Sequence, residues 1–247
     1  MSLFSMILGV GASFALLRLV MANEESARLH ALLQGVLVQA AALVGARLAF
    51  VLTHLAYFST RKNEILNLSA GGLWWPGAVI GGLITIGVIG LVQQHMVRQA
   101  LDRFSVFLLP MAVSFWLAGW SAGVAYGARL DSSVWWGIPM LDINGATLPR
   151  VPVQPVAALT VLLILGAIEW RMKKHLPRGR RMGILLLATA VHTLLFSLMR
   201  DDPVQRVLGV RLDVWTSIFF IFIAAIFIAF TFEVKSRQNK TQKEVIE

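Results

Sequence analysis

An arginine stands in the middle of an apolar stretch, Arg47 within Gly45-Ala46-Arg47-Leu48-Ala49-Phe50-Val51-Leu52. At the centre of a membrane helix an arginine is unfavourable by about 2.5–3.5 kcal/mol on insertion scales, so one that persists faces a protein interior or a wet, anion-accepting cavity. His54 lies two turns further along the same helical face. It reads either as a packed hydrogen-bonding residue or as an acid–base group, and the same two readings apply to His192 in another apolar stretch. Arg18 is within a turn of the end of its stretch, where snorkelling accounts for it. Glu169 stands at the end of another, within reach of water or of Arg171. No two histidines stand at metal-ligand spacing with a carboxylate, so no metal site and no cofactor are expected. The chain has no cysteine, which excludes disulfides and any thiolate of its own.

The elements that must position these groups are membrane helices. With 57% hydrophobic residues, 14% charged residues and 8 tryptophans, the chain is too apolar for a soluble domain of 247 residues. Its apolar runs are continuous over about 20 residues, the length an α-helix needs to cross about 30 Å of hydrocarbon, rather than alternating as barrel strands do. The fold class expected is all-α and polytopic, with seven spans at residues 3–21, 32–55, 73–92, 104–127, 153–170, 182–199 and 214–232. Residues 1–232 read as a single membrane domain with an outer loop at 128–150, and residues 233–247 as a polar cytoplasmic tail expected to be unstructured. The first stretch lacks a basic n-region and an evident cleavage site, and is read as a span rather than a signal peptide.

The net charge of +9 is a matter of orientation rather than of nucleic-acid binding, since no soluble basic domain exists to carry the latter. An outside N-terminus places Arg28, Arg98, Arg103, the cluster from Arg171 to Arg181 and the basic tail on the inside, leaving fewer basic residues outside. Two connecting segments do not read as plain loops. Residues 58–72 and the following Leu73-Trp74-Trp75-Pro76-Gly77 carry Gly-Gly and Pro-Gly punctuation, which predicts irregular backbone. In the outer loop, Trp135-Trp136 predicts an interfacial aromatic patch, and Asp142-Ile143-Asn144-Gly145 a turn.

Several short motifs, taken in order, resemble prolipoprotein diacylglyceryl transferase over about residues 4–232: Gly45-Ala46-Arg47-Leu48, Ile65-Leu66, Gly71-Gly72-Leu73, Gly77-Ala78-Val79-Ile80-Gly81-Gly82 and Arg150-Val151-Pro152-Val153-Gln154. The resemblance implies a seven-span bacterial inner-membrane protein with its N-terminus outside. It also implies an activity, the transfer of a diacylglyceryl group from phosphatidylglycerol to the lipobox cysteine of a lipoprotein precursor. Such a reaction needs a hold on a phosphodiester anion, which arginine forks and glycine-exposed N–H groups provide, and help for the acceptor thiol in losing its proton. Carried over residue by residue, Arg47, Gly72, Gly77, Gln154 and Arg200 fall on the family's motif positions and are the expected head-group ligands.

The departures fall on the catalytic positions. Pro76 stands where the family has a histidine and Phe4 where it has a tyrosine. In the fourth-span signature Trp120 replaces an arginine, Gly123 an asparagine and Ala128 a glutamate. Thr193 and Ser197 replace an arginine and a glutamate one turn apart in the sixth span, and Val156 and Ala157 replace the tyrosine and glutamate after the fifth-span glutamine. The expectation is a phospholipid-binding, catalytically degenerate or repurposed member, whose partners are a membrane phospholipid such as phosphatidylglycerol, and a lipoprotein precursor or other membrane subunits. The alternative is a divergent active enzyme in which Arg47, His54, His192 and Arg200 take over the missing roles, with His192 one residue before the absent arginine.

Overall fold

The computed structural model describes residues 2–67, 72–93, 97–141, 145–175 and 180–244, with side chains up to 172 and from 180 to 229 in the last two stretches. Among the described residues, seven helices are long and apolar enough to cross a membrane: Leu3–Met21, Glu25–Thr53, Trp75–Val92, Val97–Ser121, Val153–Met172, Arg181–Leu198 and Leu212–Ala229. The seven expected spans are thus present. Their outward faces carry Val10, Leu52, Leu163 and Phe222, apolar side chains whose exposure suits lipid rather than water. The chain divides into two compact units, Met1–Met111 and Ala112–Glu247.

The first unit contains α1 (Leu3–Met21), α2 (Arg28–Thr53), a short α3 (Leu55–Thr60), α4 (Trp75–Val92), α5 (Val97–Phe104) and the start of α6 (Leu108–Ser121). Two polar side chains tie α1 to its neighbours, the Gln39 amide donating to the Ala12 carbonyl at 2.8 Å and the Arg18 guanidinium to the Val106 carbonyl at 3.0 Å. Arg18, which the sequence explains by snorkelling, is therefore a crosslink in the structure. The tightest packing is between α2 and α4, where Ala41, Gly45 and Ala49 meet Gly77 and Gly81 at four-residue spacing. A Cβ on Gly81 would lie 2.5 Å from the Ala41 carbonyl oxygen, so the two backbones touch only because these residues are small. The Trp74 N–H donates to the Ala46 carbonyl at 3.1 Å and fixes the start of α4, whose first turn accepts Pro76 without losing a hydrogen bond.

The second unit contains the rest of α6, two small hairpins and α7 (Val153–His175), α8 (Arg181–Leu198) and α9 (Leu212–Glu244). The fourth span ends at Ser121, six residues before the expected boundary at 127. The cause is Gly123, which takes the left-handed conformation (φ 64°) one residue past the cap. Its N–H bonds to the Trp120 carbonyl at 3.2 Å and that of Val124 to the Gly119 carbonyl at 3.0 Å, the paired bonds of a Schellman end. The outer loop is not irregular throughout: β1 (Ile138–Leu141) pairs antiparallel with β2 (Thr147–Arg150), in the register Ile138 with Arg150 and Leu141 with Thr147. Before it, Trp135 is 92% exposed, as an interfacial anchor would be. A second hairpin, β3 (Arg206–Val207) and β4 (Val210–Arg211), leads into α9. The α9 backbone stays helical to Glu244, through polar residues that were expected to be unstructured; Lys, Arg, Gln and Glu are good helix formers. The turn residues Asp142, Ile143 and Asn144, Gly71 of the glycine pair, and Arg178 of the basic cluster lie outside the described residues.

Candidate functional site

The residues picked out by sequence divide between the units: Arg47, His54, Gly72 and Gly77 are in the first, and Gln154, His192 and Arg200 in the second. Arg47 is 6% exposed and binds the chain segment that follows α3. Its Nε donates to the Ile65 carbonyl at 2.8 Å, one Nη to the Glu64 carbonyl at 2.6 Å and the other to the Gly72 carbonyl at 3.1 Å. The guanidinium also lies 5.3 Å from the Phe58 ring centroid and 5.7 Å from that of Phe50. The cost of placing an arginine at this depth is thus offset by carbonyls that an irregular segment leaves open, so the arginine and the segment satisfy each other.

Gly72 has φ +73°, and a Cβ there would strike Phe50 and the Arg47 guanidinium. It is glycine because the chain must pass directly over that side chain. Gly77 lies instead in the α2–α4 contact, packed on Gly45 and Ala49, with its N–H given to the Trp74 carbonyl at 3.1 Å. His54 caps the end of α2. Its ring stacks on Phe50 with centroids 4.2 Å apart, and its Nδ1 is 2.9 Å from the Phe50 carbonyl oxygen and 3.0 Å from Thr53 Oγ1. Phe50 therefore separates the two ionisable groups that the helical spacing places on one face.

In the second unit the irregular chain after the Schellman end is held from several sides. Gln154 is fully buried and its amide donates to the Val124 carbonyl at 2.9 Å. The Arg150 guanidinium stacks 4.1 Å from the Tyr126 ring centroid and donates to the Gly127 carbonyl at 3.3 Å. The Asp201 N–H bonds to the Tyr126 carbonyl at 2.9 Å, and Ala125 adopts a left-handed φ of 62°. Arg200 forks onto Asp202, Nε to Oδ1 at 2.9 Å and Nη to Oδ2 at 2.7 Å, and its other Nη meets Asp213 at 3.0 Å. Arg211 completes a buried quartet of two cations and two anions, reaching Asp213 at 3.2 Å and Asp202 at 3.1 Å. Burial alone would raise the Asp202 pKa. The Arg200 hydrogen bond, the charges of Arg200 and Arg211 and the Ala125 N–H outweigh it and hold the carboxyl below the usual range. Arg211 is opposed by burial but held above its ordinary value by Asp213 and Asp202.

His192 is 4% exposed, stacked on Phe196 with centroids 4.5 Å apart, and its Nε2 is 2.9 Å from Thr160 Oγ1. Buried polar atoms of this unit without a hydrogen-bond partner among the described residues include His192 Nδ1, Gln154 Oε1 and Ser197 Oγ. Ser197 and Thr193, at the positions of the missing ion pair, are both buried, whereas Trp120 is 42% exposed. Asp202, Arg211 and Asp213 were not anticipated as partners of Arg200. The signal was in the sequence twice, as an arginine two residues before an aspartate at the border of an apolar run, Arg200-Asp201-Asp202 and Arg211-Leu212-Asp213.

Among relatives, a phosphatidylglycerol–prolipoprotein diacylglyceryl transferase of Streptomyces avermitilis is 27% identical over 218 residues, covering 83% of this chain and 60% of the relative. That of Pasteurella multocida is 24% identical over 164 residues, covering 66% and 59%. That of Cupriavidus metallidurans is 26% identical over 202 residues, covering 77% and 71%. The chain thus spans about 60% of the length of the first two. The family model described as prolipoprotein diacylglyceryl transferase matches residues 3–230, nearly the whole membrane region, and the chain belongs to that family.

Proposed function

We propose that this chain is a phospholipid-binding inner-membrane protein that uses the family scaffold without transferring diacylglyceryl to a lipobox cysteine. The observation that carries this reading is the engagement of its two matching arginines: Arg47 bonds to three backbone carbonyls and Arg200 to two carboxylates. A guanidinium committed to intramolecular acceptors is a weaker hold on a leaving phosphate than one poised for it. Pro76 adds a second loss, since it can neither accept a proton nor donate a backbone hydrogen bond. The lipid expected is an anionic one such as phosphatidylglycerol, its head group approaching the Arg47–Gly72 region, in a protein with its N-terminus outside and its C-terminus in the cytoplasm.

The test supplies phosphatidylglycerol and a lipobox peptide to the purified protein, with His54→Ala and His192→Ala alongside. No transfer is expected, while native mass spectrometry should find anionic lipid retained by the wild type and depleted in Arg47→Ala. Reporter fusions after Asp213 and after Glu247 should lie on opposite sides of the membrane. A divergent enzyme is the second reading, and it is favoured by the unpartnered buried atoms of His192, Gln154 and Ser197, which a substrate would satisfy. Turnover abolished by His54→Ala or His192→Ala would establish that reading instead.

A further inference from the structure

At the end of the first unit away from Arg47 lies a cleft of about 400 Å³ bordered by α2, α4 and α5. Its polar lining is Asn23, His30, Gln93, Gln99 and Arg103. Among the described residues no carboxylate lines it. Arg103 donates through one Nη to Gln34 Oε1 at 2.9 Å, while its Nε is buried without a hydrogen-bond partner, and no ion pair joins it to a carboxylate among the described residues. The Gln93 amide donates to His30 Nε2 at 2.7 Å, which leaves the ring proton on Nδ1. The remaining walls are apolar and include Phe104. The helix that supplies Arg103, Val97-Arg98-Gln99-Ala100-Leu101-Asp102-Arg103-Phe104, turns Ala100 and Phe104 inward, the pattern of a helix lying at a membrane surface.

A guanidinium with an unsatisfied buried donor and no counter-ion, set among amide and imidazole donors, calls for an anion. Apolar walls beside it suit the first carbons of an acyl chain. We propose that this cleft binds the phosphodiester of an anionic phospholipid, on the leaflet that charge counting assigns to the cytoplasm and apart from the Arg47 region. The site stands whether or not the chain is catalytic.

The probe is purified full-length protein titrated with phosphatidylglycerol, with phosphatidylcholine at equal concentration, and with inorganic phosphate, affinity being read from thermal shift and native mass spectrometry. Wild type should prefer phosphatidylglycerol, and Arg103→Gln, which can still bond to Gln34, should weaken that binding about 10- to 100-fold, the scale of one charge-assisted hydrogen bond. Should Arg103→Gln not purify folded, Arg103→Lys keeps the charge without the fork and should still lose several-fold. Wild-type affinity in the variant that folds overturns the site, as does equal binding of phosphatidylcholine. Equal stabilisation by inorganic phosphate overturns the lipid assignment. Lipid lost only in Arg47→Ala overturns this cleft and leaves the Arg47 reading standing.

Discussion

Arg200 and Asp202 face each other in a two-point fork, with both nitrogen–oxygen contacts inside 3 Å and both side chains more than nine-tenths buried. Asp213, at the first turn of α9, holds the third donor of Arg200, and its Oδ1 also accepts the Val214 N–H at 3.1 Å. A carboxylate at a helix N-terminus is favoured by the unpaired amides there. The fork therefore ties the end of α8, the β3–β4 hairpin and the start of α9 into one polar knot. In this chain Arg200 has an architectural duty whatever else it does.

Replacing Asp202 with asparagine should expose that duty. The substitution leaves Arg200 and Arg211 sharing one carboxylate in a buried setting, and breaking such a network by removing one partner costs about 3–5 kcal/mol. Because the folded carboxyl titrates below its ordinary value, its contribution is complete above about pH 4 and disappears as the pH falls through the folded pKa. Thermal melts in detergent should show wild type losing stability on acidification over that range. Asp202→Asn should start lower and lose less. Parallel acid limbs for the two proteins would show that Asp202 is not the titrating group.

Arg47→Lys separates charge from geometry. Lysine places its donors on one nitrogen and cannot bridge carbonyls as far apart in sequence as Glu64, Ile65 and Gly72. Losing two hydrogen bonds to a charged group, each worth about 1.5–3 kcal/mol, should raise amide exchange of residues 61–67 by about tenfold or more. Exchange in α1 should not change. Unaltered exchange at 61–67 would mean that the segment is held by other contacts.

The α2–α4 contact gives a prediction with its own control on the same helix. Gly81→Val drives a side chain into the Ala41 carbonyl, whereas a Cβ at Gly87 meets nothing within 4 Å. The first substitution should cost about 1–3 kcal/mol or more through overpacking, and Gly87→Val should be near neutral. Equal melting points for the two variants would contradict the close approach.

How legible all this was depends on which physical signal each feature leaves. Spans are written in long apolar runs, and all seven could be read because lipid tolerates little else at that depth. The end of the fourth span was misplaced because Val124, Ala125 and Tyr126 continue the apolar run, while the stop comes from the backbone conformation of a single glycine, Gly123. The β1–β2 hairpin left almost no alternation to read, since Pro139 and Pro149 face each other in its register. Arg47 was identifiable as a residue that must have partners. Which partners it has was not, because backbone carbonyls carry no sequence signature. The same holds for Gly77, whose place in a motif does not distinguish a head-group contact from a helix–helix one.

The β3–β4 hairpin offers the last prediction. Its two-residue turn is Leu208-Gly209, with φ of 53° and 78°, so both central residues are left-handed as in the tight turns that suit hairpin twist. Such turns favour Asn-Gly, and a leucine there pays about 1–2 kcal/mol for its Cβ. Leu208 is 87% exposed and recovers little of this by packing within the protein. Leu208→Asn should therefore raise the melting point in detergent by about 2–4 °C, as expected for roughly 1 kcal/mol in a chain of this size. The neighbouring anchor, the Trp215 indole N–H donating to the Val207 carbonyl at 3.1 Å, is untouched by the change. Repeating the melt in a bilayer decides why leucine is there. A gain that persists in lipid marks the residue as simply unoptimised, and a gain that reverses marks the hairpin tip as a membrane-surface contact.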